Sequence, residues 1–313
     1  MLFDVLRKYK WSYEWYNFFQ KKALEHNIPL YEKYGLKKKY YQSISSRDFI
    51  HLESPKNRYD VVDSKDFLPK NLNFGNLPVL YQESLLNWST NGYAILENFF
   101  SENEIDQFNG EIDRLIQSKK ANWQYGNKIM FAFHDSEILK NAGQGRIMPI
   151  LEMLMDKKVS LFQSINFITG SQQRTHSDSI HMTTFPLGNL IAIWIALEDI
   201  QPDSGPLHYY PGSHRLPYIM NGDFGNISTK YKLGNKIYSD YEDKIQDVLD
   251  ANSLEKQIFL PKKGDVLIWH ANLLHGGEPQ TNSDATRKSM VFHYYADESI
   301  CYHEITERPT LFR

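Results

Sequence analysis

The chain has 313 residues, 41% of them hydrophobic, and a net charge of −3. That is enough apolar material for a sizeable core, and it lacks the surplus of positive charge expected of a general nucleic-acid binder. A single cysteine, Cys301, excludes an intrachain disulfide, and with no signal-peptide pattern and no run of 18 apolar residues, neither secretion nor a membrane span is expected and a cytoplasmic setting is.

In chain order, residues 1–78 read as a helical and loop extension packing on the core. Within it, residues 3–26 carry helical periodicity with two apolar stripes. One holds Leu6, Tyr9, Tyr13, Tyr16 and Leu24, the other Trp11, Trp15, Phe18 and Phe19. Two stripes suggest burial on both sides, against the core and a second surface such as a partner subunit. The sharper alternative is a membrane-surface helix, given Arg7, Lys8, Lys10, Lys21 and Lys22. Oligomeric state is not legible. Lys37, Lys38 and Lys39 read as a solvated turn. Residues 101–119 open on Ser101 with Glu104 three residues later, a capping box before a helix, and MPILEMLM (148–155) reads as another helix.

From residue 159 strand signals dominate: VSLFQSINFI, HSDSIHMTTF, LIAIWIAL, PLHYYPG, QIFLPK, DVLIWHA and SMVFHYYA, separated by Gly, Pro, Asn and Asp clusters. Seven or eight such strands fit a mainly β fold with helical additions, a double-stranded β-helix of the jelly-roll, cupin-like kind. The domain so read spans 79–313. Residues 221–256 interrupt the strands as an insertion, and long insertions at a barrel mouth often act as lids.

The residues that carry chemistry are His176, Asp178, His275 and Arg287. Two neutral imidazoles and one carboxylate on one face of an octahedral metal leave three positions open, the ligand set of mononuclear iron(II) oxygenases. Residues two apart in an extended segment share a side, so THSDS can aim His176 and Asp178 at one ion. A closed zinc site would add cysteine or a fourth ligand. The His-x-Asp pair alone is weak, since roughly 0.7 such pairs arise by chance in this composition. His51-Leu52-Glu53 offers similar ligands without strand context, and His270 competes with His275 as the distal histidine. Arg287 opens RKSMVFHYY, read as a strand antiparallel to the one carrying His275, and a buried arginine there needs an anionic partner.

The setting is more specific. LNWSTNGYAILENFFSENEIDQFNGEIDRLI (86–116), Trp194, the Pro211-Gly212-Ser213-His214 turn, Gly264-Asp265, His275-Gly276 and Arg287 follow one another in the order that resembles the phytanoyl-CoA dioxygenase family of iron(II) and 2-oxoglutarate-dependent oxygenases, from about residue 79 onward. The resemblance implies that His176, Asp178 and His275 ligate Fe(II) and that Arg287 holds the distal carboxylate of the co-substrate 2-oxoglutarate. It further implies that Ser289 adds a hydroxyl to that carboxylate and that Gln163 and Asn166 line the co-substrate site; Trp194, in a near-continuous apolar run, reads either as core or as a wall of that site. Asp178 stands where related halogenases carry a small residue, which points to a hydroxylase or desaturase. Hydroxylation of an unactivated C–H bond of a small molecule or metabolic intermediate, consuming O2 and releasing succinate and CO2, is the implied reaction. His181, Met182, Thr183 and Arg174 are candidate substrate contacts, and His214 and Arg215 lesser ones. A non-oxidative cupin-like isomerase or lyase, or a degenerate binding protein, are the alternatives.

Overall fold

The computed structural model describes residues 6–312. Its strands, in chain order, are β1 (Tyr93–Leu96), β2 (Trp123–Gln124), β3 (Lys128–Met130), β4 (Val159–Phe167), β5 (Thr183–Phe185), β6 (Leu190–Ala196), β7 (Leu207–Tyr209), β8 (Gln257–Phe259), β9 (Val266–His270), β10 (His275–Gly277), β11 (Ser289–Ala296), β12 (Ile300–His303) and β13 (Arg308–Pro309). The longer helices are α1 (Lys10–Phe19), α2 (Val79–Leu86), α3 (Glu102–Gln117), α4 (Glu137–Gln144), α5 (Met148–Met155) and α6 (Tyr238–Asn252).

One large sheet forms the central layer. That sheet runs β1-β9-β6-β11-β4-β3-β2, with every adjacent pair antiparallel. β6 and β11 are buried along their whole length, so both faces are covered, which explains their near-continuous apolar runs. On one face Ile191, Ile193, Ile195, Met290, Phe292 and Tyr294 pack with Ile105 and Phe108 of α3 and Leu151 of α5. On the other, Ala192, Trp194, Leu267, Trp269 and Val291 meet Leu207, Tyr209 and Phe259 of a small sheet ordered β10-β7-β8. A second small sheet, β13-β12-β5, extends this layer. The result is the expected jelly roll, and the space between its sheets holds the chemistry-bearing residues.

Local signals explain the helical cover. Ser101 and Glu104 close a reciprocal cap on α3, and Arg146 pairs with Glu104 at 2.6 Å. Residues 3–26 do not form one helix. Residues 3–5 lie outside the described residues, α1 ends at Phe19, and a 3-10 turn spans Lys21–Asn27. Burial of Leu24 and Asn27 fixes the chain path there, a tertiary demand that overrides helical propensity. Leu24 is buried, but Trp11, Trp15, Phe18 and Phe19 are 43–66% exposed, so the second stripe is uncovered.

Two further expectations are corrected. HSDSIHMTTF is a strand only over Thr183–Phe185, with a 3-10 turn over Asp178–Ile180. The strand following Arg287 is not paired with the one carrying His275: β11 lies between β4 and β6 in the large sheet, and β10 pairs with β7 in the small one. Arg287 and His275 meet because the two sheets face each other.

Residues 221–256 are anchored at both ends of their path. Leu233 donates its N–H to the Lys8 carbonyl and Lys10 donates its own to Tyr231, while the Arg47 guanidinium donates to the Ser228 carbonyl at 2.7 Å. Farther on, α6 packs Tyr241, Ile245 and Leu249 with Ile180 and Leu274.

Candidate metal centre

His176 and His275 are joined by a reciprocal backbone pair, each N–H donating to the other's carbonyl at 2.9 Å. This bridges the segment before the 3-10 turn to β10 and sets the two imidazoles 4.5 Å apart, centroid to centroid. Ser177 between the ligand candidates is extended, φ −114° and ψ 141°, so His176 and Asp178 project to one side as the spacing anticipated. Asp178 Oδ1 lies 3.9 Å from His176 Nε2 and 3.8 Å from His275 Nε2. All three donor atoms fall within 4.8 Å of one another, a group that could hold a metal ion.

Hydrogen bonds prepare these atoms for a cation. His176 Nδ1 lies 2.8 Å from the Arg174 carbonyl and His275 Nδ1 lies 2.9 Å from the Leu273 carbonyl. A carbonyl only accepts, so both Nδ1 atoms carry the proton and both Nε2 atoms present a lone pair. Asp178 Oδ2 accepts from Trp269 Nε1 at 2.8 Å and lies 3.5 Å from His293 Nε2, leaving Oδ1 toward the imidazoles. Burial works against the Asp178 carboxylate, but His275 and the His293 hydrogen bond outweigh it and hold the acid well below the usual range. Burial, with His275 adding to it, pushes His176 down. An ionised carboxylate thus stands beside a His176 imidazole that burial keeps neutral. Gln173 Nε2 sits 3.2 Å from His176 Nε2, so a metal ion requires that amide to turn aside.

Arg287 supplies the second half of the fit. It is 3% exposed, its guanidinium 5.1 Å from the Phe167 ring centroid and 5.8 Å from that of Trp194. Nη1 donates to Ser289 Oγ at 3.0 Å, and buried Nε has no partner. Among the described residues no carboxylate forms an ion pair with it. Burial pushes its pKa down to about 10, partly offset by Glu198, so it stays cationic at neutral pH. A buried, unpaired cation is costly. It shares with the triad a cavity of about 80 Å³, also lined by Lys128, Trp194 and Trp269. An acid that bridges metal and arginine satisfies both.

The other expected contacts divide. Trp194 forms the cavity wall, and Ser289 braces Arg287. Gln163 pairs with His293 across β4 and β11, beside the lining residues and not among them. Asn166 is a correction: Ile165 and Phe167 line the cavity, and alternation turns the intervening Asn166, paired with Met290, to the opposite face. Thr183 is another, for its hydroxyl donates to the Ser179 carbonyl at 2.6 Å within β5. Arg174 is half exposed and ion-pairs with Asp243 at 2.7 Å and Glu242 at 3.5 Å, anchoring α6 rather than facing the cavity. His181 Nδ1 lies 3.2 Å from His303 Nε2 and its ring is tilted against that of Tyr238, centroids 4.7 Å apart. Met182 is buried beside Leu190 and Tyr295. Arg215 donates to the Ser89 carbonyl at 2.6 Å, and His214 lies 3.3 Å from the same oxygen. His270 is not the distal ligand, because β9 alternates: Trp269 faces the cavity, while His270 accepts from the Asn272 N–H at 3.1 Å and approaches Asp60 at 3.4 Å. His51 is exposed and, among the described residues, belongs to no group that could hold a metal ion.

Four residues escaped sequence reading: Trp269, His293, Gln173 and Lys128. The first two sit on β9 and β11 opposite Ala192 of β6, a cross-strand register that only the assembled sheet supplies. Lys128 Nζ donates to Gln173 Oε1 at 3.2 Å from a β3 that is too short to read by pattern.

Residues 88–289 match the protein family described as phytanoyl-CoA dioxygenase (PhyH). A zebrafish phytanoyl-CoA dioxygenase domain-containing protein 1 is 29% identical over 136 residues, 42% of this chain and 41% of that protein. The rat peroxisomal phytanoyl-CoA dioxygenase is 23% identical over 244 residues, covering 69% and 68%. The chain thus spans about two fifths of the length of the zebrafish and bovine domain-containing relatives. Among solved structures, the non-heme α-ketoglutarate-dependent carbocyclase SnoK from nogalamycin biosynthesis aligns with a TM-score of 0.58 at 18% identity, covering 74% of this chain and 89% of its own. EctD from S. alaskensis, solved with 2-oxoglutarate and 5-hydroxyectoine, aligns at 0.54 and 18% identity, covering 72% and 80%. At such identities the structural likeness establishes the shared jelly-roll fold.

Proposed function

The chain belongs to the phytanoyl-CoA dioxygenase family, and from that premise we propose that it is an iron(II) and 2-oxoglutarate-dependent oxygenase hydroxylating a C–H bond of a small molecule. The observation that carries this reading is the buried Arg287, unpaired and facing the same cavity as a His-Asp-His group. A structural arginine would be neutralised by a carboxylate of the protein; this one fits the distal carboxylate of a dicarboxylic co-substrate.

The residues would divide the work as follows. His176 Nε2, His275 Nε2 and Asp178 Oδ1 would hold iron(II) on one face, with Trp269 and His293 fixing the carboxylate's orientation. Arg287, steadied by Ser289, would grip the far carboxylate of 2-oxoglutarate, and Trp194 and Phe167 would keep water from that ion pair. Once bound, iron(II) with 2-oxoglutarate and O2 supplies the oxidising power to remove hydrogen from an unactivated C–H bond, with succinate and CO2 as co-products. Solved structures of this fold are described as a carbocyclase and an epimerase as well as EctD. We read residues 79–313 as the catalytic domain, 1–78 as an extension packed on it, and 221–256 as the cover of the site. In support, Tyr238 of α6 is bonded to Gln173 at 3.2 Å, next to the candidate ligand His176.

Anaerobic addition of 2-oxoglutarate to the iron(II)-loaded protein tests the reading. Chelation is expected to give a visible charge-transfer band. Its absence, with iron bound, would favour a non-oxidative metal enzyme.

A further inference from the structure

We propose that the aromatic face of α1 docks this chain on an anionic membrane surface. Trp11, Trp15, Phe18 and Phe19 fall at i, i+4, i+7 and i+8, one stripe of the helix, and all four are exposed, Trp15 and Phe19 by 66% and 64%. The rings form a continuous patch: Trp15 meets Phe19 edge-on at 5.0 Å, Phe19 meets Phe18 at 5.7 Å, and Phe18 meets Tyr41 at 5.5 Å. Contiguous exposed aromatics of this kind mark an interaction surface. They are also the side chains that settle at the boundary between headgroups and acyl chains.

Charge identifies the occupant. Residues 6–42 contain nine Lys and Arg against three Glu; Lys10, Lys33 and Lys38 are ion-paired with Glu307, Glu298 and Asp48, which leaves Arg7, Lys8, Lys21, Lys22, Lys37 and Lys39 outside those pairs. The cations frame the patch. Arg7 and Lys8 are exposed at one end, Lys21 and Lys22 at the other, and Lys37 and Lys39 on the neighbouring turn. Lys21 Nζ lies 5.0 Å from the Phe18 ring centroid and Lys39 Nζ lies 5.8 Å from that of Tyr41. Of the glutamates, Glu14 turns inward to the Ser43 N–H at 3.1 Å, leaving Glu25 and Glu32 exposed.

This pattern disfavours a second copy of the chain as the partner. An antiparallel pairing of two α1 helices would set Arg7 and Lys8 of one against Lys21 and Lys22 of the other, and a parallel pairing would set each cluster against itself. Both oppose like charges. Anionic headgroups complement the cations that frame the patch while the acyl boundary takes the rings. The surface is also firmly mounted, because Lys10 donates to Ser228 Oγ at 3.0 Å and ion-pairs with Glu307.

Co-sedimentation of the full chain with vesicles tests the proposal, using phosphatidylcholine alone and phosphatidylcholine mixed with phosphatidylglycerol. The protein is expected to bind the mixed vesicles about tenfold more tightly, with binding weakened by added salt. Trp15→Glu with Phe19→Glu should abolish the difference, as should Lys21→Glu with Lys22→Glu, whereas Lys21→Arg with Lys22→Arg should preserve it. These positions are exposed, so melting temperature should stay at the wild-type value. Equal binding to both vesicles, or no response to Trp15→Glu with Phe19→Glu, would overturn the proposal. So would sedimentation showing a wild-type dimer that this substitution splits, with no vesicle binding.

Discussion

Asp178 divides its two oxygens between two tasks, and the division is testable. Oδ2 is held by Trp269 Nε1 at 2.8 Å, while Oδ1 faces the imidazoles. Trp269→Phe removes that donor and keeps an aromatic ring against His275, which the indole meets at 5.2 Å. Iron(II) affinity is expected to fall about 10- to 100-fold with the fold retained, as read by metal titration and circular dichroism. Unchanged affinity would show that the indole does not orient the ligand. The candidate ligands themselves were legible because their chemistry needs fixed residue types at short spacing. Trp269 and His293 were not, because supporting groups answer only to geometry. Asn166 shows the same limit in reverse: one residue of strand register separates the cavity from the opposite face.

At the level of elements, β9, whose Trp269 holds Asp178, depends on a turn that tolerates little change. Gly264, which precedes β9, has φ +95°, and a Cβ there would lie 2.1 Å from the Phe100 carbonyl oxygen. Neither the backbone angle nor the oxygen can yield cheaply, so Gly264→Ala is expected to cost about 2–4 kcal/mol, measurable by chemical denaturation. The Gly264-Asp265 pair was visible in the sequence as part of a motif, and its physical reason is this close approach. The insertion was legible as a break between strands, but its helix was not read, although Tyr241, Ile245 and Leu249 recur at helical spacing. If residues 221–256 cover the site, Arg174→Ala should loosen them by removing the ion pairs to Glu242 and Asp243. Faster protease cleavage within 221–256, with iron affinity unchanged, is the expected result; unchanged cleavage would mean that these ion pairs do not hold the segment.

Across the whole molecule, buried histidines tie stability to pH. Burial pushes His181 and His214 down to about 3 and His303 down to about 4, whereas an unfolded imidazole titrates near 6.5. Below about 6.5 the unfolded chain therefore binds more protons than the folded one, and stability falls with falling pH, by about 1.4 kcal/mol per pH unit for each group while its folded form stays neutral. Melting temperatures of the metal-free protein should be level near neutrality and decline between about pH 6.5 and 4. The mainly β architecture was legible from strand count and turn residues, whereas the bend after Phe19 was not, since only the completed fold requires Leu24 to be buried. That fold brings His275 from the small sheet and Arg287 from beside the large one to a single cavity. 2-Oxoglutarate titration with and without iron(II) addresses that convergence most directly. Wild type should bind the acid tightly only with iron present, Arg287→Ala should keep iron and lose the acid, and Asp178→Ala should lose both. An unaltered 2-oxoglutarate affinity in Arg287→Ala, or stoichiometric iron in Asp178→Ala, would contradict it.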